Sequence, residues 1–201
     1  MNISKTIFAF SLLLLSFLLN ACSGLTISDQ PANTTWWLKP YAGAMQASPH
    51  EVPRMIAVSV TAVPGLDTNR ILTLSDDAEL NSYASARWAD NLPELVESLV
   101  GRTLESSGRF EVASGRIQPD SDDCDLQLEV REFFAGLDGD GKTDRVRVAI
   151  FGRYQCGSAE AVPIQLGASV PVLDERMSVI VGAFQQAVDS VLTEMLKKLI
   201  L

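Results

Sequence analysis

Residues 124–156, CDLQLEVREFFAGLDGDGKTDRVRVAIFGRYQC, contain the strongest fold signal in the chain. Apolar residues fall on even positions in both of its halves: Leu126, Leu128, Val130 and Phe134, then Val146, Val148, Ile150 and Tyr154. This alternation is typical of strands that bury one face. Asp138-Gly139 and Asp140-Gly141 separate the halves, and Asp-Gly pairs favour tight turns. The stretch therefore predicts a long antiparallel hairpin.

Cys124 and Cys156 begin and end this hairpin. Their midpoint is position 140, inside the predicted turn, so a regular register places the two cysteines opposite each other on the inward faces of the strands. Facing residues of neighbouring strands are close enough for a disulfide. We predict a structural disulfide; the alternative is two buried free thiols. No Cys-x-x-Cys motif is present to suggest redox catalysis.

Strands are also predicted on both sides of the hairpin. The clearest is Met55–Val63, where Ile56, Val58 and Val60 alternate with polar residues. The others are Arg70–Leu74, Leu80–Trp88, Phe110–Val112 and Ile164–Val172.

Two amphipathic helices complete the pattern. The first starts near Asp90-Asn91-Leu92-Pro93, which offers capping side chains and a first-turn proline, and Gly108 is placed to end it. The second runs from Asp174 to the end of the chain, with apolar residues every three or four positions. The fold class expected is α/β (α+β), a single domain with a largely antiparallel sheet covered by two long helices.

Residues 1–21 have the outline of a signal peptide. An apolar stretch from Ile7 to Leu19 is too short to span a membrane as a helix, and Leu19-Asn20-Ala21-Cys22 follows it. A small residue before a cysteine at this depth is similar to a lipobox, which makes Cys22 the lipidated first residue of the mature protein. The alternative is ordinary cleavage that leaves Cys22 as a free thiol. We expect a lipidated flexible tether over 22–35 and a periplasmic domain over 36–201.

The mature chain is acidic. Cleavage before Cys22 removes Lys5 and no acid, so the formal net charge falls from −9 to −10. This net negative charge repels the phosphate backbone of nucleic acids, and the basic residues are scattered along the chain. No nucleic-acid partner is therefore predicted. Membrane attachment would rest on the acyl chains rather than on basic residues.

The sequence contains no catalytic constellation and predicts no cofactor. His50 is the only histidine, which leaves no zinc site and no Ser-His-Asp triad. Residues 138–149 resemble the start of a calcium loop, but Thr143 and Ala149 replace the required Gly and Glu, so we interpret them as a hairpin tip. We therefore predict neither a bound metal nor an enzymatic activity.

Trp36-Trp37-Leu38 directly follows the predicted tether. Successive strand residues point to opposite faces, so one tryptophan can fill the core while the other stays exposed. The segment is interpreted as a first strand that anchors the domain. An exposed contact with a partner or lipid is the alternative, which makes Trp36 and Trp37 candidate interface residues.

Several of these segments together resemble the ABC-type transport auxiliary lipoproteins. The most specific is Glu79-Leu-Asn-Ser-Tyr83 through Arg87-Trp88-Ala-Asp-Asn-Leu-Pro93, followed by a helix and Gly108-Arg-Phe110. The lipobox, the Trp36-Trp37-Leu38 strand, the Ile56–Val63 strand and Ala183-Phe-Gln-Gln-Ala187 in the last helix add to the resemblance. The family includes the lipoprotein of the paraquat-inducible, MCE-type lipid transport system.

The resemblance implies a non-enzymatic lipoprotein that assists an ABC transporter moving phospholipid or other hydrophobic molecules between membranes. Its implied partners are an MCE-type periplasmic carrier with a separate permease and ATPase, and the domain is a candidate homo-oligomer. Ser23 follows the lipidated cysteine where aspartate would resemble an inner-membrane retention signal, which favours the outer membrane, facing the periplasm. A structural or assembly lipoprotein and a periplasmic lipid carrier are the alternatives.

Overall fold

The described part of the chain folds into an eight-stranded mixed sheet with two helices. In a computed structural model of the protein, the residues described are 33–41, 43, 52–113 and 122–200, and they belong to one compact unit. The strands are β1 Thr34–Trp36, β2 Arg54–Ala62, β3 Arg70–Leu74, β4 Leu80–Trp88, β5 Phe110–Val112, β6 Cys124–Leu137, β7 Thr143–Cys156 and β8 Val162–Pro171. The helices are α1 Leu92–Ser106 and α2 Met177–Ile200.

The long strand β6 lies at the centre of the sheet. One of its edges pairs along its length with β7, which in turn pairs with β8. Its other edge pairs first with β2 and then, near its end, with β3. Beyond β2 lies β5, and beyond β3 lie β4 and then β1.

The prediction of a largely antiparallel sheet is wrong. Four pairings are parallel, namely β1–β4, β2–β5, β2–β6 and β3–β6, whereas β3–β4, β6–β7 and β7–β8 are antiparallel. Parallel neighbours require a crossover connection. Here α1 returns the chain to the end of the sheet where β2 starts, so that β5 and β6 run in the same direction as β2.

The predicted hairpin register is confirmed, although both strands are irregular. Arg131 is an extra residue on β6, between the pairs Val130–Ile150 and Glu132–Ala149, and Asp144 is an extra residue on β7. One bulge on each strand cancels the shift of the other. Cys124 therefore faces Cys156, as the midpoint at position 140 predicts.

The bulge at Arg131 changes which phenylalanine faces the helices. Before it, even-numbered residues point inward; after it, the inward position belongs to Phe133, which contacts Trp88 and Phe184. Alternation directs Phe134, expected inward, to the opposite face, where it is also buried.

Along β2, β7, β8 and the first half of β6, one face of the sheet carries the core and the other carries a polar ladder. The inward side chains of β2, β6, β7 and β8 are buried; they include Ile56, Leu126, Ile150 and Leu166. On the open face Arg153 Nε donates to Gln127 Oε1 at 3.1 Å, and Arg131 lies over the Phe151 ring at 4.2 Å. A sheet covered on one face produces this alternation.

Helix α1 begins and ends where the sequence predicts, but its N-terminus is not capped by a side chain. Asn91 is the N-cap residue and makes no capping hydrogen bond with its side chain, while Asp90 Oδ1 accepts from the Asn91 amide at 2.9 Å. Gly108 has φ of 68°, a conformation that favours glycine after a helix. Glu97 of α1 accepts from the Val60 amide at 3.3 Å and so covers part of the β2 edge.

Gly152 of β7 has no room for a side chain, because a Cβ at this position would overlap the Gln127 carbonyl oxygen. We expect Gly152→Ala to lower the free energy of unfolding by about 3 kcal/mol, since the backbone of a central strand must move. Denaturant titration of the purified protein measures this change.

Gly167→Ala in β8 is the matched control. A Cβ there lies 3.8 Å from the Val148 carbonyl oxygen, an ordinary contact, so we expect little loss of stability. Equal effects of the two substitutions would show that the close approach at Gly152 relaxes without cost.

Candidate functional site

The predicted lipidation residue Cys22, the sorting residue Ser23 and the lone His50 lie outside the described residues. Lipidation, outer-membrane sorting and most of the tether therefore stay predictions, whereas Thr34 and Thr35, which the predicted tether 22–35 included, belong to β1. The described chain begins at position 33, just before β1.

Strand β1 joins the start of the domain to the edge of the sheet. It ends at Trp36, so the predicted strand Trp36–Leu38 begins two residues earlier and stops before Trp37. Trp36 faces Trp88 in a parallel pairing with β4. The Trp36 ring is partly buried against the core, and its Nε1 is buried without a hydrogen-bond partner among the described residues.

The next two residues have opposite environments. Trp37 is 59% exposed, whereas Leu38 is fully buried. We call residues 36–39 the tryptophan ledge. Trp36 and Leu38 both pack against the core, so they fix the backbone on either side of the exposed Trp37 indole.

A side chain from α2 holds the end of the tryptophan ledge. Gln185 Oε1 accepts from the Lys39 amide at 2.8 Å, and Gln185 Nε2 donates to the Lys39 carbonyl at 2.9 Å. The same Nε2 donates to Asp189 Oδ1 at 2.9 Å. Both backbone polar groups of Lys39 are thus bonded by one amide side chain, and we call this pair of hydrogen bonds the Gln185 clamp.

Gln185→Leu should release this end of the tryptophan ledge. Loss of these hydrogen bonds is expected to cost about 1–2 kcal/mol of stability at a partly exposed site. The sharper measurement is hydrogen exchange, in which the Lys39 amide should exchange at least tenfold faster.

Gln186→Leu is the control, since Gln186 is the exposed neighbour on the same helix. Unchanged exchange at Lys39 in Gln185→Leu would mean that Leu38 and β1 hold the backbone without the clamp.

Three aromatic rings, from β4, β6 and α2, pack against one another in the core. Phe184 of α2 stacks on Phe133 with 5.1 Å between centroids and meets Trp88 edge-on, also at 5.1 Å. Trp88 and Phe133 are 5.8 Å apart. Because Trp36 faces Trp88 across the β1–β4 pairing, this cluster supports the strand that leads to Trp37.

The far end of the hairpin contains the predicted disulfide. Cys124 and Cys156 are bonded, with their Cα atoms 3.9 Å apart. The Tyr154 hydroxyl lies 2.9 Å from Cys156 Sγ and donates to Cys124 Sγ at 3.4 Å. Burial raises the pKa of Tyr154 above its ordinary value, and nearby Arg54 opposes the rise. The hydroxyl is therefore protonated at neutral pH and available as a donor.

The hairpin tip is a turn, as its sequence indicates. Asp138 Oδ1 accepts from the amides of Asp140 and Lys142, both at 2.9 Å. This carboxylate oxygen is occupied by the backbone of its own loop. Beside the tip, the Tyr83 hydroxyl bonds Thr143 Oγ1 at 2.6 Å, and Glu175 accepts from the Thr143 amide at 2.8 Å. Burial raises the pKa of Tyr83, against the opposing effect of the Thr143 hydrogen bond.

Within the described ranges, no group of three or more His, Cys, Asp or Glu residues is placed to hold a metal ion. None of the helices among these residues is long and apolar enough to cross a membrane.

Comparison with protein families identifies the chain. Residues 38–196 match the family of the ABC-type transport auxiliary lipoprotein component. The chain belongs to this family. The match starts within the tryptophan ledge and ends in α2, so it includes every strand from β2 to β8 and most of α2. No curated protein sequence matched the chain.

Two solved structures show the fold of this auxiliary lipoprotein. One is the crystal structure of an uncharacterized protein with a TM-score of 0.65 and 15% identity, which covers 84% of this chain and 99% of that one. The other is protein XCC0632 from Xanthomonas campestris, with a TM-score of 0.63 and 22% identity, covering 81% of this chain and 92% of that one. At these identities the likeness concerns the fold alone.

The structure separates the two candidate interface residues. Trp37 is exposed and Trp36 is mostly a packing residue. Sequence reasoning missed the Gln185 clamp, although Gln185 lies within a segment that resembles the family. It also missed Phe133, because a bulge leaves no mark in the pattern of apolar residues.

Proposed function

We propose that this auxiliary lipoprotein is a non-enzymatic subunit that docks an MCE-type carrier at the outer membrane. Its permease and ATPase are separate chains, and the transported molecule is phospholipid or another hydrophobic compound. Family membership carries the transport role, because the matched family is itself an auxiliary component of ABC-type transport.

Trp37 is the residue proposed to contact the carrier. Exposed tryptophans on rigid backbones are favoured as binding hot spots, since their large apolar area is buried at little cost in conformational entropy. Pairing of β1 with β4 holds one side of Trp37, and burial of Leu38 with the Gln185 clamp holds the other.

The length of the tether limits where docking takes place. The chain from Cys22 to Trp37 spans at most about 55 Å when fully extended, since each residue contributes at most about 3.6 Å. Trp37 then stays within about that distance of the membrane that holds Cys22. A partner reaching it from the inner membrane must itself bridge the periplasm, which suits an elongated carrier.

The test is co-purification from host membranes in mild detergent through a C-terminal tag. Wild type is expected to retain a carrier with its permease and ATPase, and Trp37→Ala and Cys22→Ala are each expected to reduce their yield at least tenfold. Leu173→Ala is the matched control for Trp37→Ala, because Leu173 is 91% exposed in the connection between β8 and α2.

Other outcomes would assign other roles. Recovery of envelope-assembly proteins or peptidoglycan without transporter chains would replace the transport role with a structural one. Tightly bound lipid in the purified protein, without transporter chains, would support the lipid-carrier alternative. Equal losses in Trp37→Ala and Leu173→Ala would remove Trp37 as the specific contact.

A further inference from the structure

Strand β8 has one edge that no described strand pairs with. Its ten residues, VPIQLGASVP, contain no charged side chain, although 20% of the chain is charged. Long uncharged edge strands readily pair with another strand, and proteins usually protect them with charged residues or proline. Here the prolines, Pro163 and Pro171, lie near the two ends and leave the middle of the edge open.

Hydrogen bonds show which residues face this open edge. Residues of an antiparallel strand alternate between bonding one neighbour and bonding the other. The Val172 amide donates to the Asp144 carbonyl of β7 at 2.8 Å, so even-numbered residues of β8 bond β7. Odd-numbered residues face outward, and the outward amides are those of Gln165, Gly167 and Ser169.

We propose that β8 pairs with β8 of a second copy of this chain, antiparallel and with the two-fold axis at Gly167. This pairing places Gly167 opposite its own copy and Gln165 opposite Ser169. Each outward amide then meets a carbonyl of the other copy. Pro163 faces Pro171, neither of which has an amide proton, so the ladder ends where its donors end.

The side chains of β8 match in the same register. On the open face of the sheet, Gln165 lies beside Ser169 of the other copy, so polar groups meet. On the helix-covered face, Ile164 meets Val170 and Leu166 meets Ala168, so apolar groups meet. Ala168 and Val170 are only partly buried in the single chain, and self-pairing would extend the core over them.

The distribution of charge in the chain makes the β8 edge a favourable place for contact with a second copy. The mature chain has a net charge of −10, obtained from the −9 of the full chain by removing Lys5, so most self-contacts bring like charges together. The β8 edge avoids this repulsion because it carries no charge. A contact of this length is small by the standard of stable dimers. Confinement to a membrane by a lipid at Cys22 would raise the local concentration that such a contact needs.

The test is cross-linking of the full chain in host membranes. Two differently tagged copies are co-expressed, one carrying Gln165→Cys and the other Ser169→Cys, and treated with a short thiol cross-linker. The mixed pair should give a cross-linked dimer at least tenfold more abundant than either variant expressed alone, because equal positions are about 13 Å apart in this register. Gly167→Cys alone should cross-link to itself.

Gly167→Lys, added to both cysteine variants, should abolish the cross-link by placing two charges at the axis. A Cβ at Gly167 makes only ordinary contacts, so the fold should survive, and formation of the native Cys124–Cys156 disulfide checks this. Ser59→Lys on the exposed face of β2 is the charge-matched control and should leave the cross-link intact.

Absence of a cross-link in the mixed pair, or equal cross-linking by Gln165→Cys alone, would overturn the proposal. The experiment is done in a host without the transporter chains. Its result is therefore independent of the proposed transport role, and failure of one proposal does not decide the other.

Discussion

Replacing Phe184 with alanine is expected to lower the free energy of unfolding by about 4 kcal/mol. Phe184 is fully buried, and its ring contacts both Phe133 and Trp88 at 5.1 Å. The substitution removes the ring that joins α2 to β4 and β6 and leaves a cavity that rigid strands cannot fill. Denaturant titration followed by circular dichroism measures the loss.

Phe151→Ala is the matched control for this prediction. Phe151 is a phenylalanine of the same sheet, but it lies on the open face beneath the Arg131 guanidinium and is only partly buried. We expect a loss of about 1 kcal/mol, in line with its smaller buried area. Similar losses for the two substitutions would mean that the aromatic cluster contributes no more than a partly buried ring on the open face.

The cluster also connects stability to the proposed function. Trp36 pairs with Trp88, which touches Phe184, so loss of that ring should loosen β1 and with it the tryptophan ledge. Phe184→Ala is thus expected to weaken carrier co-purification even at temperatures where the protein stays folded. Trp37→Ala should weaken co-purification without changing stability. Comparison of the two variants therefore distinguishes loss of the packing that supports the tryptophan ledge from loss of the contact with the carrier.

Removal of the disulfide is the second large expected effect. The double substitution Cys124→Ala/Cys156→Ala should lower the free energy of unfolding by about 4 kcal/mol, because the bond closes a loop with a sequence separation of 32 residues. The unfolded chain then gains conformational freedom. Strand pairing in the folded state should be unchanged, since the register is set by the turn and by the bulges at Arg131 and Asp144.

Reduction provides the control for the disulfide prediction. A reductant should bring the wild type to the stability of the double variant and leave that variant unaffected. A change below about 1 kcal/mol on reduction would show that the hairpin restricts the unfolded chain by itself. Tyr154→Phe is a further comparison; it should lower stability by about 1 kcal/mol, because only its hydroxyl contacts with the sulfurs and Arg54 are lost.

Local sequence patterns determined most of the secondary structure. Alternation located β2, β6 and β7, and helical spacing with Pro93 and Gly108 located α1, because these signals concern neighbours along the chain. The disulfide could also be predicted, because a turn centred on position 140 places Cys124 opposite Cys156 in a regular hairpin register. The most specific segments of the family resemblance, 79–93 and 108–110, lie within the family match, whereas the lipobox and Trp36-Trp37 precede it.

The order of the strands and the contacts between distant side chains depend on the tertiary structure. β2 and β3 share one edge of β6, and a periodic pattern carries no information about which distant strand lies alongside. Compensating bulges at Arg131 and Asp144 kept the hairpin register while moving Phe133 into the core. The Gln185 clamp joins groups 146 positions apart, a separation that no local signal reaches. Long-range contacts of this kind depend on the packing of the whole chain, and they are what present Trp37 to the solvent.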